Sequence, residues 1–220
     1  MKKVRVWDLP TRLFHWSLAA CIVGLVITAN VGGDAMVWHF RLGFCVLTLI
    51  LFRLVWGMVG GHWSRFSTFV RGPSAIIAYL KGHTKAEQAV GHNPLGALSV
   101  LALLFASFAQ AAVGLMSDDE IAAAGPLVNK IPGAWVSVAT FVHTEVTKVI
   151  LILLVFLHIA AILWYRFKKN ENLIRPMIVG DKTLPDDTRA SHDTLTSRAV
   201  AAVILLLCAG VVNLLLRWAA

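Results

Sequence analysis

VSVATFVHTEVTKVILILLVFLHIAAILWY, residues 136–165, is the stretch that decides the fold of this chain. An α-helix needs roughly 20 mostly apolar residues to cross a bilayer, and this stretch is longer than that. It nevertheless contains two histidines, His143 and His158. Ionisable side chains inside a membrane are unfavourable and are usually kept for a function. The stretch therefore predicts a transmembrane helix with a functional histidine near each end.

The rest of the chain has the same apolar character. Hydrophobic residues make up 58% of the 220 residues, charged residues only 15%, and the mean hydropathy is +0.73. Soluble domains are usually about half apolar and a quarter charged, so the excess indicates lipid rather than one buried core. The predicted fold class is an all-α membrane helical bundle. Four further spans are predicted, at residues 13–30, 38–59, 94–116 and 199–217.

Lysine and arginine lie in alternate connections between the predicted spans. Segments 1–12, 60–93 and 166–198 contain four, four and seven of them. The other two connections and the C-terminal tail contain only Lys130 and Arg217. Because cytoplasmic connections are enriched in Lys and Arg, we predict a multi-pass protein of the bacterial inner membrane with a cytoplasmic N-terminus and a periplasmic C-terminus. This placement accounts for the net charge of +8 without a nucleic acid partner.

Segment 66–80, FSTFVRGPSAIIAYL, is apolar but too short to span the membrane. Its Gly72-Pro73 pair is typical of a helix start, because proline suits the first helical turn. We expect an amphipathic helix that lies along the cytoplasmic interface.

Four histidines fall at two predicted membrane depths. His15 and His158 lie near the cytoplasmic side, and His39 and His143 lie near the outer side. A six-coordinate haem iron takes one imidazole from each face, so two haems need two such pairs on facing helices. His143 and His158 are 15 residues apart, which is about 22 Å along a helix. The pattern predicts two stacked haems with these four histidines as iron ligands.

Other kinds of membrane protein share part of this pattern. A zinc site fits less well, because no Cys or carboxylate joins either histidine pair to complete a tetrahedral site. The absence of a CxxCH motif argues against a covalently attached c-type haem. A haem-free membrane anchor or transporter would share the hydropathy but would not need the matched histidines.

Basic residues near the predicted haem levels are candidates to bind the anionic haem propionates. Arg41 and Lys148 lie near the outer pair, and Arg12 and Arg53 lie near the cytoplasmic pair. For Arg12 and Arg41 a second role is equally well supported: an arginine at the end of a span also extends to the lipid headgroups. His92 begins the third span, where it would contact a quinone or a propionate, or serve only as a helix-entry residue.

Several motifs together resemble the bacterial cytochrome b561 family, and in particular the cytochrome b subunits of nickel–iron hydrogenases. The resemblance covers about residues 4–182 and implies a four-helix di-haem domain over 1–182. Residues 183–220 then form a cytoplasmic connection and a fifth transmembrane helix. The motifs are VRVWDLPTRLFHWSLA at 4–19, HFRLGFCVLTLILFRLVWGMVG at 39–60, RFSTFVRGPSAIIAYL at 65–80, GHNPLGALSVLALL at 91–104 and LHIAAILWYRFKKNENLIRPMIVG at 157–180.

The resemblance also implies which histidines bind iron. His15 and His158 would ligate the cytoplasmic-side haem, and His39 would ligate the outer haem. The family usually has the fourth ligand directly before a Glu, 14 residues ahead of the last ligand. That position is Thr144 here, and the histidine is one place earlier, at His143. A wide helical turn would still aim His143 inward; otherwise the outer haem has another ligand or an open position.

The function implied is electron transfer between the quinone pool and a periplasmic partner such as a c-type cytochrome or a hydrogenase. The expected cofactors are two haems b per chain, with quinone as a further candidate that would make the protein a quinone oxidoreductase. A superoxide oxidase that passes electrons to ubiquinone is the second hypothesis. It ranks lower because the outer connection with Asp118, Asp119 and Glu120 would repel superoxide and attract a basic cytochrome.

Overall fold

The computed structural model describes residues 1–83, 90–121 and 123–219. Within them are five helices long and apolar enough to cross a membrane, which confirms the predicted all-α membrane bundle. Lys85, one of the residues counted in the prediction of orientation, lies outside the described residues. The long helices are α1 Leu9–Val31, α2 Met36–Val59, α5 Pro94–Gly114, a continuous run from α6 Gly133–Phe141 to α7 Lys148–Lys168, and α9 Leu195–Ala219.

The first span begins four residues earlier than the predicted residue 13, and its start has a clear physical cause. The carboxylate Oδ1 of Asp8 accepts a hydrogen bond from the backbone N–H of Thr11 at 2.8 Å. An acidic side chain just before a helix satisfies an N–H group that has no partner within the helix. Pro10 lies in the first turn, where its missing N–H is harmless.

The interfacial segment 66–80 forms two helices rather than the single helix that was predicted. They are α3, Phe66–Phe69, and α4, Pro73–Leu80. Gly72 between them is extended, with φ −69° and ψ 168°, because a following proline disfavours the helical conformation. The expected helix start at Pro73 is confirmed.

A small β-sheet that the sequence analysis did not predict ties the N-terminus to the segment after α7. Strand β1, Lys2–Arg5, pairs antiparallel with strand β2, Asp181–Leu184. A short helix, α8 Ile174–Val179, precedes β2 and ends at Gly180, whose φ of +94° favours glycine. The Gly180 carbonyl accepts hydrogen bonds from Val6 and Trp7. Strand β2 crosses the proposed domain boundary at residue 182, and the division into two domains stays a prediction.

The chain divides into two compact units, and each long helix contributes to both. The first unit contains Met1–Phe14, Arg53–Ala102 and Phe156–Ile204. Its apolar core includes Val6, Trp7 and Val90, with Trp63 and Met177 packed against them. Ser191 closes the core, since its Oγ donates to the Val6 carbonyl at 2.8 Å.

The second unit contains His15–Phe52, Leu103–Val155 and Leu205–Ala220. Val46 and Ile50 are among its buried apolar residues. In α9 the buried residues Cys208, Val212 and Ala219 are separated by four and seven positions, so they share one face of that helix. The same helix leaves large apolar side chains exposed, which is the arrangement expected for a helix in contact with lipid.

Candidate functional site

The second unit brings His39 and His143 together, as the sequence predicted. Their ring centroids are 6.3 Å apart and their planes are nearly perpendicular, at 87°. Two imidazoles on opposite sides of one metal ion would have centroids about 6.3 Å apart, since each metal–nitrogen bond is about 2.0–2.1 Å and each ring adds about 1.1 Å. The spacing therefore fits one iron between the two rings.

The His39 ring is held in place by α1. Its Nδ1 lies 3.2 Å from the carbonyl oxygen of Leu25 and 3.2 Å from the Thr28 hydroxyl. The Thr28 hydroxyl donates its own hydrogen to the Gly24 carbonyl at 2.8 Å, so it can accept one from His39. The neutral ring thus carries its proton on Nδ1 and presents a bare Nε2, the form that ligates metals.

The His143 ring has a matching arrangement with α5. Its Nδ1 lies 3.0 Å from the backbone carbonyl of Gln110, so this ring also presents an unprotonated Nε2. The amide nitrogen of the Gln110 side chain is 3.5 Å from that Nε2, too far for a strong hydrogen bond. Both histidines are therefore oriented by backbone carbonyls of neighbouring helices.

A wide helical turn, one of the alternatives raised by the position of His143, is present. Val142–Thr147 is a π-helix between α6 and α7. The Thr147 hydroxyl donates to the Val142 carbonyl, five residues earlier, at 3.0 Å. Because each π turn contains an extra residue, this segment absorbs the one-place shift of the histidine relative to the family pattern.

Two glycines flank the histidine pair, one beside open space and one against the His143 ring. Gly43 lies one turn after His39, and a side chain built there would meet no atom within 4 Å. Gly114 is in close contact with His143, because a Cβ at Gly114 would lie 2.8 Å from His143 Cε1. Small residues in membrane helices permit close approach of helices or of a flat ligand. The surroundings of the two rings therefore fit a macrocycle as well as an iron.

The predicted basic residues of the outer level face outward. Arg41 is exposed, and its guanidinium lies 4.9 Å from the ring centroid of Trp38, an arrangement typical of side chains at a membrane interface. Lys148 is exposed as well. Their role as propionate partners stays a prediction.

Arg12 and Arg53, the basic residues predicted to lie near the cytoplasmic-side haem, belong to the first unit. Some of their hydrogen-bond donors are used by contacts within the protein. Arg53 is 2% exposed, donates from Nη2 to the Ser64 carbonyl at 3.0 Å and lies 4.7 Å from the Phe66 ring centroid. Its Nη1 is buried without a hydrogen-bond partner in the part of the chain that is described. Arg12 donates from Nη1 to the Ile178 carbonyl. Arg53 therefore has a donor left for an anionic group.

A fully buried carboxylate in the first unit was missed by sequence reasoning. Asp8 accepts hydrogen bonds from the Thr11 backbone, from Trp56 Nε1 at 3.2 Å and from the Ser64 hydroxyl at 2.7 Å. The Thr11 hydroxyl also donates to Ser64 Oγ at 2.7 Å. The signal was available, since an Asp shortly before Pro10 marks a helix start. Asp8 anchors the helix that carries His15.

His92 packs between two aromatic rings of the first unit. Its ring centroid is 4.6 Å from that of Trp7 and 4.5 Å from that of Phe69. The next residue, Asn93, donates from Nδ2 to the Tyr165 hydroxyl at 2.8 Å, and that hydroxyl also contacts the Tyr79 hydroxyl. Sequence reasoning selected His92 but missed the three polar residues beside it.

His15 and His158 are both half-buried. The His15 ring lies edge-on to Trp16, with centroids 5.0 Å apart. His15 belongs to the second unit and His158 to the first. Their pairing around a second iron stays a prediction.

Comparison with known proteins identifies the family. The prokaryotic cytochrome b561 family matches residues 6–180 of this chain. The chain belongs to the prokaryotic cytochrome b561 family. This cytochrome is therefore a multi-pass bacterial membrane protein that binds haem b and takes part in electron transfer.

Relatives of this cytochrome carry a more specific name. A probable Ni/Fe-hydrogenase B-type cytochrome subunit from Azotobacter vinelandii is 27% identical over an alignment 218 positions long, and the alignment covers 84% of this chain and 90% of that relative. Subunits of the same name from Azotobacter chroococcum and Cupriavidus necator are 26% and 25% identical, over 84% of this chain and 90% and 89% of their own lengths. No solved structure gives a significant match.

Proposed function

We propose that this cytochrome binds two haems b and moves electrons between the quinone pool and a periplasmic redox protein. His39 and His143 would hold the outer haem, and His15 and His158 the cytoplasmic-side haem. The observation that carries the proposal is the 6.3 Å spacing of the His39 and His143 rings, each with its Nδ1 at a backbone carbonyl. Bound haem b supplies a one-electron iron couple whose potential depends on axial ligands, burial and nearby charge.

The protein's own groups would set that potential. Neutral imidazoles whose Nδ1–H groups bond to carbonyls are stronger electron donors than free imidazole. The remaining donor of the buried Arg53 would stabilise a carboxylate at the cytoplasmic-side haem. Arg41 and Lys148 would serve the outer haem from the interface, and Arg12 would contribute positive charge near Arg53.

The quinone part of the proposal rests on the resemblance and on a group of hydrogen-bond donors in the first unit. A quinone has two carbonyl oxygens that accept hydrogen bonds. His92 begins α5, and next to it Asn93 bonds to the Tyr165 hydroxyl at 2.8 Å. These residues are the candidate contacts for a quinone headgroup.

The partner part of the proposal rests on charge. Asp118, Asp119 and Glu120 lie in the connection after α5, which Thr140 holds in place, since the Asp118 N–H donates to Thr140 Oγ1 at 3.0 Å. An acidic connection on the periplasmic side would attract a basic redox protein and repel superoxide. A c-type cytochrome or a hydrogenase, as the names of the relatives suggest, is the expected partner.

Purified protein tests the proposal directly. Quinol added under anaerobic conditions should reduce all of the bound haem, and His39→Ala should remove one of two haems while the other stays reducible. Superoxide should not drive quinone reduction. Loss of both haems from a folded His39→Ala variant, or of neither, would overturn the assignment of the outer site.

A further inference from the structure

Gln110 makes several contacts with the π-helical segment from the facing helix α5. Its side-chain Nε2 donates to the backbone carbonyl of His143 at 3.2 Å. Its Oε1 contacts the hydroxyl of Thr147. Its own backbone carbonyl accepts from Nδ1 of His143. One residue thus contacts both the π turn and the ring that the turn carries.

A π turn needs such support because it is less stable than the α-helix on either side. The extra residue shifts the hydrogen-bond pattern from four to five residues, and a carbonyl group without its usual partner in an apolar environment is unfavourable. The Gln110 amide supplies a donor to one carbonyl of this segment, that of His143. A side chain from another helix can therefore decide whether the π turn forms.

The position of His143 depends on that turn. In a regular α-helix each residue advances about 100°, so a histidine displaced by one place would point about 100° away from the direction needed. The π segment Val142–Thr147 adds one residue without this rotation. His143 therefore faces His39 only while the π turn persists.

We propose that Gln110 is a positioning residue that holds the π turn and thereby aims His143 at His39. The proposal rests on the proposed role of His143 as a haem ligand and adds to it a named cause for the ring's direction. Gln110 would not touch the iron itself, and its effect would be exerted through His143.

The first test compares Gln110→Leu with the unaltered protein by titrating haem into the purified, haem-depleted chains. Supporting partners of metal-binding histidines usually contribute about 10–100-fold in affinity, so we expect outer-site affinity to fall at least about tenfold. The absorbance and electron paramagnetic resonance signals of the outer haem should change as well. Asn30→Ala is the matched control, because among the described residues that exposed amide donates to a carbonyl of its own helix, at Val26, so this variant should change neither the affinity nor the signals of the outer haem.

The second test removes the need for the π turn. Deleting Thr144 places the histidine directly before Glu145 and restores the 14-residue spacing to His158 in a regular helix. In this deletion variant the histidine should still bind the outer haem, and adding Gln110→Leu should change its affinity by less than about twofold. If Gln110 merely stabilised the bundle, Gln110→Leu would lower haem affinity in the deletion variant as much as in the full chain.

The outcomes separate the two proposals. If His143→Ala keeps the outer haem, the proposed ligand is wrong. If His143→Ala loses it but Gln110→Leu binds normally, only the positioning role of Gln110 is wrong. That role would also be overturned if Gln110→Leu lowered the haem affinity of the outer site equally in the full chain and in the variant that lacks Thr144. Retention of the cytoplasmic-side haem and unchanged helix content by circular dichroism would show that each variant is folded.

Discussion

At the scale of single residues, the outer site depends on where two imidazole protons lie. His39 and His143 each direct Nδ1 at a backbone carbonyl, from Leu25 and Gln110, which leaves Nε2 of both rings for the metal. The sequence predicted both histidines from their depth in the membrane. It did not predict the carbonyl groups that orient them, because every residue has a carbonyl and its direction depends on helix packing.

Gly114→Ala should weaken the outer site. A Cβ at this position would lie 2.8 Å from His143 Cε1, so the ring must move away from its present direction. We expect haem affinity at the outer site to fall by about tenfold or more, as measured by haem titration. Gly210→Ala is the control, because a Cβ there meets no atom within 4 Å. Normal outer-site affinity in Gly114→Ala would show that the ring has room this structure does not indicate.

Asp8→Ala should destabilise the protein by about 3 kcal/mol, since it removes the buried acceptor to which the Thr11 backbone, Trp56 and Ser64 donate. Thermal unfolding in detergent, followed by circular dichroism, measures the effect. Asp186→Ala is the matched control: that carboxylate is exposed and, within the described part of the chain, pairs with the N-terminal amine at 3.2 Å, so its removal should change stability by less than about 1 kcal/mol. Equal effects of the two substitutions would contradict the anchoring role of Asp8.

At the scale of elements, hydropathy predicted the five long helices, and local chemistry at Asp8 explains where the first begins. The interfacial segment divided at Gly72 because of Pro73. The wide turn at His143 was one alternative raised by a one-place shift in a motif, and no helix propensity indicated it. Strands β1 and β2 are four residues each and are separated by 175 residues, so no local pattern could have predicted their pairing.

Asp193 lies just before α9, pairs with Arg198 at 2.8 Å and lies near Arg5 and Arg12. Burial alone would raise the pKa of Asp193, but the hydrogen bond from Arg198, a backbone hydrogen bond from Leu9 and the charges of Arg198 and Arg5 outweigh it. The pKa is therefore below its ordinary value of 3.8. A lowered pKa in the folded state means that the stabilisation is complete above the unfolded value and is lost as the pH falls through the folded one.

Unfolding temperatures at pH 6 and pH 3 test this contribution. The unaltered protein should lose stability on acidification, and Asp193→Asn should be less stable at pH 6 and lose less between the two values. Asp187→Asn, an exposed carboxylate in the same connection, should behave like the unaltered protein. An equal acid-induced decrease in Asp193→Asn would show that the ion pairs at the start of α9 do not contribute.

At the scale of the whole molecule, the surface supports a lipid environment. Large apolar side chains such as Phe156 at 73% exposure and Leu206 at 71% exposure would be unfavourable in water and are suited to lipid. Composition was enough to predict this. The connection after α5 also contacts the end of α9, since Lys130 lies 5.7 Å from the Trp218 ring, a contact between distant segments that the sequence did not predict.

The predicted orientation in the membrane rests on the distribution of basic residues. Alkaline phosphatase, which is active only in the periplasm, should be active when fused after the C-terminus and inactive when fused at the N-terminus or within segment 181–184. A fluorescent protein that folds only in the cytoplasm should give the opposite pattern. The reverse result with either reporter would contradict the predicted cytoplasmic N-terminus.

The haem stoichiometry of the purified protein tests the paired-histidine site most directly. The ratio of extracted haem to protein should be two haems per chain in the unaltered cytochrome. It should be one haem per chain in folded His143→Ala and in folded His39→Ala. Two haems retained in His143→Ala, or fewer than two in the unaltered protein, would contradict the site.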